Sequence, residues 1–466
     1  MTAEHQKISA STIAAIATGL TPSGVGMIRI SGPEAVQISD KVFQPINGVP
    51  LLKRRGYTSA YGYICSNGEK IDEGIAAVYR APFSYTGEDI VEISCHGGVY
   101  LMQKTLQAVL NHGAKPAGAG EFTKRAFLNG KISLDQAESV MDLIQANSAS
   151  AARAALAGKD GALQKEIASI QRELVGIASH LAAWIDFPEE DVEELASSSL
   201  EQQLENSIIR LKNLNQGYDT GRLIREGIPT AIVGKPNVGK STLMNLLSRY
   251  ERSIVTDVPG TTRDIIEESV QVGGYVLRLA DTAGLRETTD QVESIGIAWS
   301  RKKMDSSELV LAVFDMSQPL GEEDIELLNN LKGRTAIAIL NKNDVASIQN
   351  ISDYEKRISD KIPFVVAMSA QNGDGLEKLE QMIPNVLGLG RIDPSAAMLA
   401  NERQRDCVNR SLRPLQDGLD AVQAGITLDA VSVCLEDAIS PLMELTGERT
   451  SDVVIEQVFE RFCVGK

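Results

Sequence analysis

The chain has 466 residues, 43% of them hydrophobic, and its 46 basic and 62 acidic residues give a net charge of −16. This length accommodates two to four domains of ~100–200 residues each. The acidic excess weighs against a protein that binds nucleic acid through a basic overall surface, so such a partner would need a local patch or a helper protein. Residues 1–133 are nonetheless mildly basic, with 13 basic and 10 acidic residues. The later segments 134–222 (7 and 15), 223–389 (18 and 24) and 390–466 (8 and 13) are acidic.

The cysteines and apolar segments indicate a protein of the reducing cytosol. The five cysteines are Cys65, Cys95, Cys407, Cys434 and Cys463. Their odd number, wide spacing and lack of a Cys-x-x-Cys pair argue against a disulfide framework and against a thiolate zinc site. No apolar run approaches the ~20 residues that span a bilayer, and Ile13–Ala17 is too short for a signal peptide and lacks its basic flank. We therefore expect a cytoplasmic protein that does not bind a membrane.

The first 120 residues are rich in glycine and in short apolar runs. Strand-like segments occur at Gly26–Ile30, Gly74–Tyr79 and Ile90–Ser94, separated by turn clusters. This pattern predicts an α+β domain. From Leu134 to Leu223 apolar residues recur every three or four positions, which predicts helices. The acidic segment Asp186–Asp191 contains a proline and should interrupt them.

Residues 228–389 alternate between strand and helix signals, as is typical of a parallel α/β sheet. Helical periodicity resumes after Pro394. We therefore predict four segments: an N-terminal domain at 1–125, a first helical part at 126–222, an α/β domain at 223–389 and a second helical part at 390–466. The two helical parts are compatible with one bundle into which the α/β domain is inserted, although periodicity alone does not establish this.

A P-loop pattern, GKPNVGKS, occupies residues 234–241 between the apolar run Thr230–Val233 and a helical stretch through Leu247. Its glycines let backbone amides face a phosphate, and the helix N-terminus adds partial positive charge. Lys240 should reach the β- and γ-phosphate oxygens, and Ser241 should bind magnesium. A plain glycine-rich turn is the alternative for such a match alone, and the motifs that follow remove most of its weight.

Three further motifs complete the pattern of a guanine-nucleotide site, and each follows a strand-like run. They are Asp281–Gly284 (DTAG), Asn341–Asp344 (NKND) and Ser369-Ala370. Asp281 is placed to reach magnesium, and the amide of Gly284 to reach the γ-phosphate. The Asp344 carboxylate can accept two hydrogen bonds from guanine, which adenine cannot supply. Four motifs at strand ends in this order predict a domain that binds GTP.

Hydrolysis needs a different arrangement from that of Ras-like proteins. Leu285 stands where those proteins carry the glutamine that orients the attacking water. Leucine cannot orient water, so the transition-state charge must be offset in another way. Asn237 offers a carbonyl oxygen near the phosphates, and the turn-rich loop Thr256–Asp264 could enclose a monovalent cation in place of an arginine finger. A role in capping or bracing the loop is the alternative for Asn237, and Thr262 is the expected second magnesium ligand.

Over essentially its full length the chain resembles the tRNA-modifying GTPase family called MnmE or TrmE. The matching segments are Gly24–Gly32 (GVGMIRISG), Tyr85–Gly98 (YTGEDIVEISCHGG), Gly120–Ile144 (GEFTKRAFLNGKISLDQAESVMDLI), the P-loop, Gly260–Asp264 (GTTRD), Asp281–Glu287 (DTAGLRE) and Phe462–Lys466 (FCVGK). The segments GEFTKRAFLNGK and FCVGK are far more specific than the nucleotide motifs. Departures are minor, and Pro259 beside Val258 should stiffen the ion-binding loop.

The resemblance implies a multidomain α/β plus α fold. Its parts would be an N-terminal α+β domain similar to tetrahydrofolate-binding domains, an α-helical bundle domain and an inserted Ras-like P-loop GTPase domain with a parallel sheet. The N-terminal domain would also dimerise.

The resemblance also implies a GTP hydrolase that is activated by potassium. The expected GTP contacts are Asn237, Val238, Gly239, Lys240, Ser241, Thr242, Thr256, Asp257, Val258, Pro259, Gly260, Thr261, Thr262, Asp281, Thr282, Ala283, Gly284, Asn341, Lys342, Asp344, Ser369 and Ala370. Magnesium would bind Ser241 and Thr262. Potassium would bind Asn237, Thr256, Val258 and Thr261. The water-orienting acid would be Glu293, which without the resemblance would read as a solvated helix charge. Hydrolysis would require two GTPase domains to dimerise face to face.

A reduced folate, 5-formyl- or 5,10-methylene-tetrahydrofolate, would bind the N-terminal domain and supply a one-carbon unit. By resemblance its pocket is lined by Arg29, Glu92, Lys131 and Lys466. The pterin donors would suit the glutamate, and the folate carboxylates would suit the basic side chains. Without the resemblance, Arg29 and Glu92 would read as ordinary residues on a solvated strand face. His96 is expected to be structural, and the role of Cys463 is open.

The implied function is modification of carbon 5 of the wobble uridine, position 34 of certain tRNAs, to a (carboxymethyl)aminomethyl form. The implied partner is the FAD-dependent protein MnmG, also called GidA, in a hetero-oligomer, with FAD bound to that partner alone. Because the chain is acidic, we expect its own tRNA binding to be weak and sensitive to salt. The alternative is a ribosome-assembly or signalling GTPase that acts only as a switch. Such a protein usually adds a basic RNA-binding module, whereas residues 390–466 are acidic.

Overall fold

The computed structural model describes residues 11–186, 197–250, 268–279, 304–346, 354, 356–391 and 393–466. The chain divides into two compact units. The first consists of the residues up to Met141, Leu174–Ala178 and Val433–Lys466, and the second consists of Asp142–Glu173 and Ser179–Ser432. In the described ranges, no helix is both long enough and apolar enough to cross a membrane.

The chain begins with an antiparallel sheet and helices that cover it. The elements are β1 (Ile13–Ile16), β2 (Ser23–Ser31), α1 (Ala35–Val42), β3 (Phe43–Pro45), β4 (Thr58–Ser66), β5 (Glu69–Tyr79), β6 (Ile90–Gly97), α2 (Val99–Asn111), β7 (Lys115–Pro116) and α3 (Glu121–Leu128). The strand order is β3-β4-β5-β6-β2-β1-β7. The β1–β7 pair is parallel, and the other pairs are antiparallel.

One face of this sheet packs on helices, as strand alternation requires. Ile28, Ile30 and Ile93 are fully buried and join Val36 of α1 and Met102 of α2 in one apolar core. Each such side chain contributes roughly 1.5–3 kcal/mol of burial free energy. The register therefore places the intervening residues of β2 and β6 on the opposite face, where Arg29 stands directly across from Glu92.

Helices follow as far as the second unit's sheet. They are α4 (Leu134–Gln145), α5 (Ala149–Lys159), α6 (Ala162–Asp186), α7 (Ser197–Gln216) and α8 (Tyr218–Glu226). The Ser148 hydroxyl accepts from the Ala151 amide and caps α5. The structure describes α6 as far as Asp186, and the rest of the acidic segment that should interrupt the helices lies outside the described residues.

The second unit holds an α/β sheet. Its elements are β8 (Ile228–Val233), α9 (Lys240–Tyr250), β9 (Glu268–Val272), β10 (Tyr275–Leu279), β11 (Leu309–Asp315), α10 (Glu322–Asn330), β12 (Ala336–Asn341), β13 (Val365–Ala367) and α11 (Leu376–Val386). The strand order is β13-β12-β11-β8-β10-β9, and the strands are parallel apart from the antiparallel β9–β10 hairpin. β10 and β11 lie on either side of β8. Because β8, β11, β12 and β13 are parallel, their carboxyl ends meet at one edge of the sheet. This edge is where open α/β sheets bind their ligands.

The last helices are α12 (Glu402–Gln423), α13 (Leu428–Thr446) and α14 (Asp452–Phe459). Within the second unit, α12 packs against α7 and α8. The Tyr218 hydroxyl donates to Glu402 at 3.2 Å, and Asn215 donates to Asn409 at 2.9 Å. Helices from before and after the α/β sheet therefore lie side by side, which confirms the predicted fold class of an α-helical bundle with an inserted α/β domain.

Within the first unit, α14 packs on residues that follow the N-terminal sheet. Phe459 and Phe462 join Leu134 and Phe127 in an apolar cluster. The ring centres of Phe459 and Phe462 lie 5.1 Å apart. Lys124 forms an ion pair with Glu456. Residues 433–466 thus belong to the same compact unit as the N-terminal sheet, and the bounds of the four predicted segments stay a prediction.

Candidate functional site

The loop between β8 and α9 adopts a conformation that depends on its glycines. Gly234 has φ +154°, and a Cβ there would lie 2.4 Å from the Val313 carbonyl oxygen. Gly239 has φ +100°, and a Cβ there would lie 2.2 Å from Asn341 Nδ2. Asn237 also has a left-handed φ of +63°, a region that asparagine tolerates better than most residues. The backbone therefore curls tightly ahead of α9.

Lys240 points back into this loop from the first turn of α9. Its ammonium group donates to the Gly234 and Lys235 carbonyls, each at 2.8 Å. Burial lowers the pKa of Lys240. Ser241 and Thr242 follow it in the same turn and are exposed. A lysine inside a loop at a helix N-terminus is the arrangement that binds phosphate groups.

Asn341 connects three of the predicted motifs. Its Nδ2 donates to the Val238 carbonyl at 2.8 Å, and its Oδ1 accepts from the Ala370 amide at 2.9 Å. The side chain is buried, so both ends of the amide are satisfied without water. The P-loop, the Asn341–Asp344 segment and the Ser369-Ala370 pair are thereby held at the same edge of the sheet.

Lys342 forms a second connection to the P-loop. Its Nζ donates to the Asn237 carbonyl at 2.9 Å and to Asp315 Oδ2 at 2.6 Å. Asp344, two residues on, is exposed. Asn343 donates its amide to the Met368 carbonyl at 3.2 Å. The predicted base motif is therefore fixed to the loop that would hold the phosphates.

Ser369 begins a turn that also shapes this edge. Its amide donates to the Asp374 carbonyl at 3.0 Å, and its hydroxyl accepts from the Asn372 amide at 3.3 Å. Asp374 is followed by Gly375, whose φ is +88° and where a Cβ would lie 2.5 Å from the Ala367 carbonyl oxygen. These contacts orient the Ala370 amide, which donates to Asn341 Oδ1.

Several predicted residues lie outside the described ranges. They are Thr256, Asp257, Val258, Pro259, Gly260, Thr261, Thr262, Asp281, Thr282, Ala283, Gly284 and Glu293. Their roles stay predictions. Among the described residues, the structure brings together Asn237, Val238, Gly239, Lys240, Asn341, Lys342 and Ala370.

Sequence reasoning missed two acidic residues beside the P-loop. Asp315 ends β11 and binds Lys342, as described above. Asp324, near the start of α10, is buried and accepts from Lys235 at 2.9 Å. The signal for Asp315 was present in the sequence, because an acid that ends an apolar strand in an α/β sheet lies at the ligand-binding edge.

The first unit holds a separate charged cluster on the face of its sheet opposite the core. Arg29 Nε donates to Glu92 Oε1 at 2.8 Å, and the side chains are 16% and 17% exposed. These residues are therefore mostly covered and paired, unlike the solvated strand residues that their sequence context alone would suggest. Tyr79 donates to the other Glu92 oxygen at 3.4 Å.

Residues 462–466 reach this cluster. The Arg29 guanidinium donates to the Gly465 carbonyl at 3.3 Å. Gly465 has φ +99°, and a Cβ there would lie 2.4 Å from the Ile16 carbonyl oxygen. Burial and the neighbouring Arg29 charge lower the pKa of Lys466, while Glu92 opposes that shift. Lys466 therefore lies within electrostatic range of both members of the pair.

Aromatic side chains and a loop border the cluster. The Arg29 guanidinium lies 5.9 Å from the Tyr85 ring centre and 5.7 Å from that of Phe122. Lys131, the fourth predicted pocket residue, donates to the Pro82 carbonyl at 3.1 Å, in the same loop as Tyr85. The structure thus brings Arg29, Glu92 and Lys466 together, and it attaches Lys131 to the loop that carries one of the bordering aromatic residues.

His96 and Cys463 are the two other residues that the sequence singled out in this unit. His96 Nδ1 lies 2.7 Å from Asp72 Oδ1 in an ion pair, and the hydrogen bond to Asp72 raises its pKa. The backbone carbonyl of Cys463 accepts from Gly120, while its thiol is exposed. All five cysteines are free thiols.

Comparisons with known proteins cover nearly the whole chain. The family model described as "GTP-binding protein TrmE N-terminus" matches residues 12–131, and the one described as "MnmE helical domain" matches residues 134–463. Among curated proteins, the tRNA modification GTPase MnmE of Symbiobacterium thermophilum is 41% identical over 457 residues, which cover 98% of this chain and 99% of that protein. That of Thermoanaerobacter pseudethanolicus is 40% identical over 458 residues, with the same coverage of both chains.

Among solved structures, the G domain of the T. maritima FeoB iron transporter is 27% identical over 34% of this chain and 96% of that chain, with a TM-score of 0.24. That score is too low to support an argument. The two family models and the two curated relatives, which match 98% of this chain, identify its family. The chain belongs to the tRNA modification GTPase MnmE family, whose members hydrolyse GTP.

Proposed function

We propose that GTP hydrolysis by this chain is activated by potassium and drives modification of carbon 5 of the wobble uridine in certain tRNAs. In this proposal a reduced folate, bound by the first unit, supplies the carbon, and a flavoprotein partner supplies FAD. The chain would act in the cytoplasm as a homodimer. The names of its relatives support tRNA modification and GTP hydrolysis, and the finer steps rest on the residues considered next.

The observation that carries the folate part is the convergence of Arg29, Glu92 and Lys466. A glutamate that pairs with Arg29 and lies within electrostatic range of Lys466 suits a ligand that has donors on one ring and carboxylates at its other end. The Arg29–Glu92 pair presents both charges on one sheet face. Lys131 would contact a ligand that extends along the loop at Pro82.

The phosphate part rests on the P-loop. Lys240 would bind the β- and γ-phosphates, and Ser241, in the first turn of α9, would hold magnesium, which prefers oxygen ligands. Asn237 lies in the same loop, and its side chain would contribute to a potassium site completed by Thr256, Val258 and Thr261. Potassium would supply positive charge against the phosphates, and Glu293 would orient the attacking water.

The experiment that tests the folate part is isothermal titration of 5-formyl-tetrahydrofolate into the full-length protein. We expect binding to the natural sequence and at least tenfold weaker binding to Arg29→Ala, because a charge-assisted contact is lost. Arg54→Ala is the matched control, since Arg54 lies in the same unit and bonds Asn47 and the Ser59 carbonyl. Absence of binding to the natural sequence, or equal binding to Arg29→Ala, would refute the proposed pocket.

A further inference from the structure

Asp315 divides its two carboxylate oxygens between a local turn and the base motif. Oδ1 accepts from the Ser317 amide at 2.9 Å and from the Ser317 hydroxyl at 2.6 Å. Oδ2 accepts from Lys342 Nζ at 2.6 Å. The side chain is 3% exposed. One oxygen therefore shapes the end of β11, and the other holds a lysine that comes from the neighbouring strand β12.

Asp315 is ionised in this environment. Burial raises the pKa of its carboxyl, but hydrogen bonds from Lys342 and Ser317 outweigh burial and bring the pKa below its ordinary value. A hydrogen bond between two charged groups is roughly twice as strong as one between neutral groups. Lys342 therefore binds the charged Asp315 carboxylate more strongly than it binds the neutral Asn237 carbonyl.

Lys342 connects Asp315 to the P-loop, because its ammonium group also donates to the Asn237 carbonyl. Its backbone has φ +63°, as does that of Asn237, whose carbonyl it binds. Both residues therefore occupy a backbone region that residues other than glycine rarely adopt. Such conformations persist where surrounding contacts determine them. The contacts from Asp315 through Lys342 to Asn237 are of this kind, and they join β11, β12 and the P-loop.

We propose that Asp315 is a positioning residue for guanine-nucleotide binding. By fixing Lys342 it keeps the P-loop at Asn237 and the Asn341–Asp344 base motif in the geometry that receives nucleotide. Asp315 acts through Lys342 rather than through its own contact with the ligand. The inference rests on nucleotide binding, which belongs to the family, and not on potassium activation or on the folate pocket.

Two substitutions separate the positioning role from a local role in the turn. Asp315→Asn keeps an oxygen for the Ser317 amide and hydroxyl and replaces Oδ2 by a group that cannot accept from Lys342. Ser317→Ala has the opposite effect, because it removes the hydroxyl of the turn and leaves the Lys342 contact. A local structural role predicts similar losses in both variants, whereas the positioning role predicts a loss in Asp315→Asn alone.

The test is a double-mutant cycle on nucleotide affinity. Dissociation constants for fluorescent GDP would be measured with the full-length natural protein, Asp315→Asn, Lys342→Met and the double variant, with Ser317→Ala as the control. We expect Asp315→Asn to weaken binding at least fivefold and Ser317→Ala to change it less than twofold. We expect the double variant to bind within twofold of Lys342→Met, because residues that act through one contact are not additive.

Fold losses that multiply in the double variant would overturn the proposal, because Asp315 would then act independently of Lys342. Unchanged affinity in Asp315→Asn, or an equal loss in Ser317→Ala, would also overturn it. If Asp315→Asn does not fold, Asp315→Glu replaces it in the same cycle, since its longer side chain displaces the carboxylate while keeping the charge. The cycle needs no folate or potassium response, so failure of those proposals leaves its result readable.

Discussion

Asn237 combines a left-handed backbone conformation with a main-chain contact to Lys342. Its backbone lies at φ +63°, which asparagine adopts at lower cost than other residues with a Cβ. Its carbonyl accepts from Lys342, so its main chain is held from the opposite side. The sequence left open whether Asn237 is a potassium ligand or a brace for the loop. The contact from Lys342 holds the loop through the Asn237 backbone, and the role of the Asn237 side chain stays a prediction.

The side-chain role of Asn237 predicts a loss of potassium stimulation. Asn237→Gly removes the side chain without backbone strain, and Asn237→Ala removes it with strain. Both variants should lose most of the increase in GTP turnover that potassium gives over sodium. Steady-state phosphate release in the two salts measures this, with Asn330→Ala at the end of α10 as a control. Equal rates in sodium and potassium for the natural protein, or an unchanged potassium response in Asn237→Gly, would contradict the ion site.

Motif residues could be predicted one by one, but their partners could not. The sequence identified Lys240, Asn341 and Lys342 because each type is required at a fixed spacing from a strand end. It did not pair Asp315 with Lys342 or Asp324 with Lys235, since a contact between residues 27 or 89 positions apart depends on how strands and helices pack. Nor does an alternating pattern tell a solvated strand charge from a paired one.

At the scale of elements, residues 462–466 are held by main-chain contacts to the segment that leads from β7 into α3. Val464 forms a backbone bridge with Ala119, and the Phe122 amide donates to the Lys466 carbonyl at 3.1 Å. The close approach of Gly465 to Ile16 leaves no room for a Cβ. The segment is thus held by main-chain contacts that do not depend on a ligand.

Gly465→Ala should therefore displace the segment and weaken folate binding. A Cβ would overlap the Ile16 carbonyl, and φ +99° is strained for alanine. We expect at least tenfold weaker binding of 5-formyl-tetrahydrofolate by titration. Gly48→Ala is the control, because Gly48 also has a positive φ, at +69°, but has open space around it. Comparable losses in both variants, or none in Gly465→Ala, would show that the position of the segment does not shape the pocket.

Periodicity predicted the kinds of element well. The strand-like runs in residues 26–94 and 228–368 coincide with or overlap observed strands, and the helical pattern after Leu134 corresponds to α4–α8. Pairing was harder to predict, because hydrophobic period tells which face of an element is buried but not against which partner. The association of α14 with the N-terminal sheet unit is an example, since nothing in the period of residues 452–459 indicates it.

At the scale of the whole molecule, the charge of −16 limits contact with tRNA. We predict that tRNA binding by this chain alone is weak and falls about tenfold between 50 and 200 mM salt, as two phosphate contacts would give. Filter binding across a salt series measures both properties, and addition of the flavoprotein partner should tighten binding. Tight binding by the isolated protein at 200 mM salt would contradict this prediction.

The first unit is discontinuous in the chain, and this bears on when its charged cluster can form. Arg29 and Gly465 are separated by 436 positions. At synthesis rates of ~5–20 residues per second, roughly 20–90 s pass between the appearance of the two. During that interval Arg29 and Glu92 can form their ion pair, but residues 462–466 have not yet been synthesised. The sheet of the nascent first unit must therefore remain folded or protected from aggregation while the entire second unit is made.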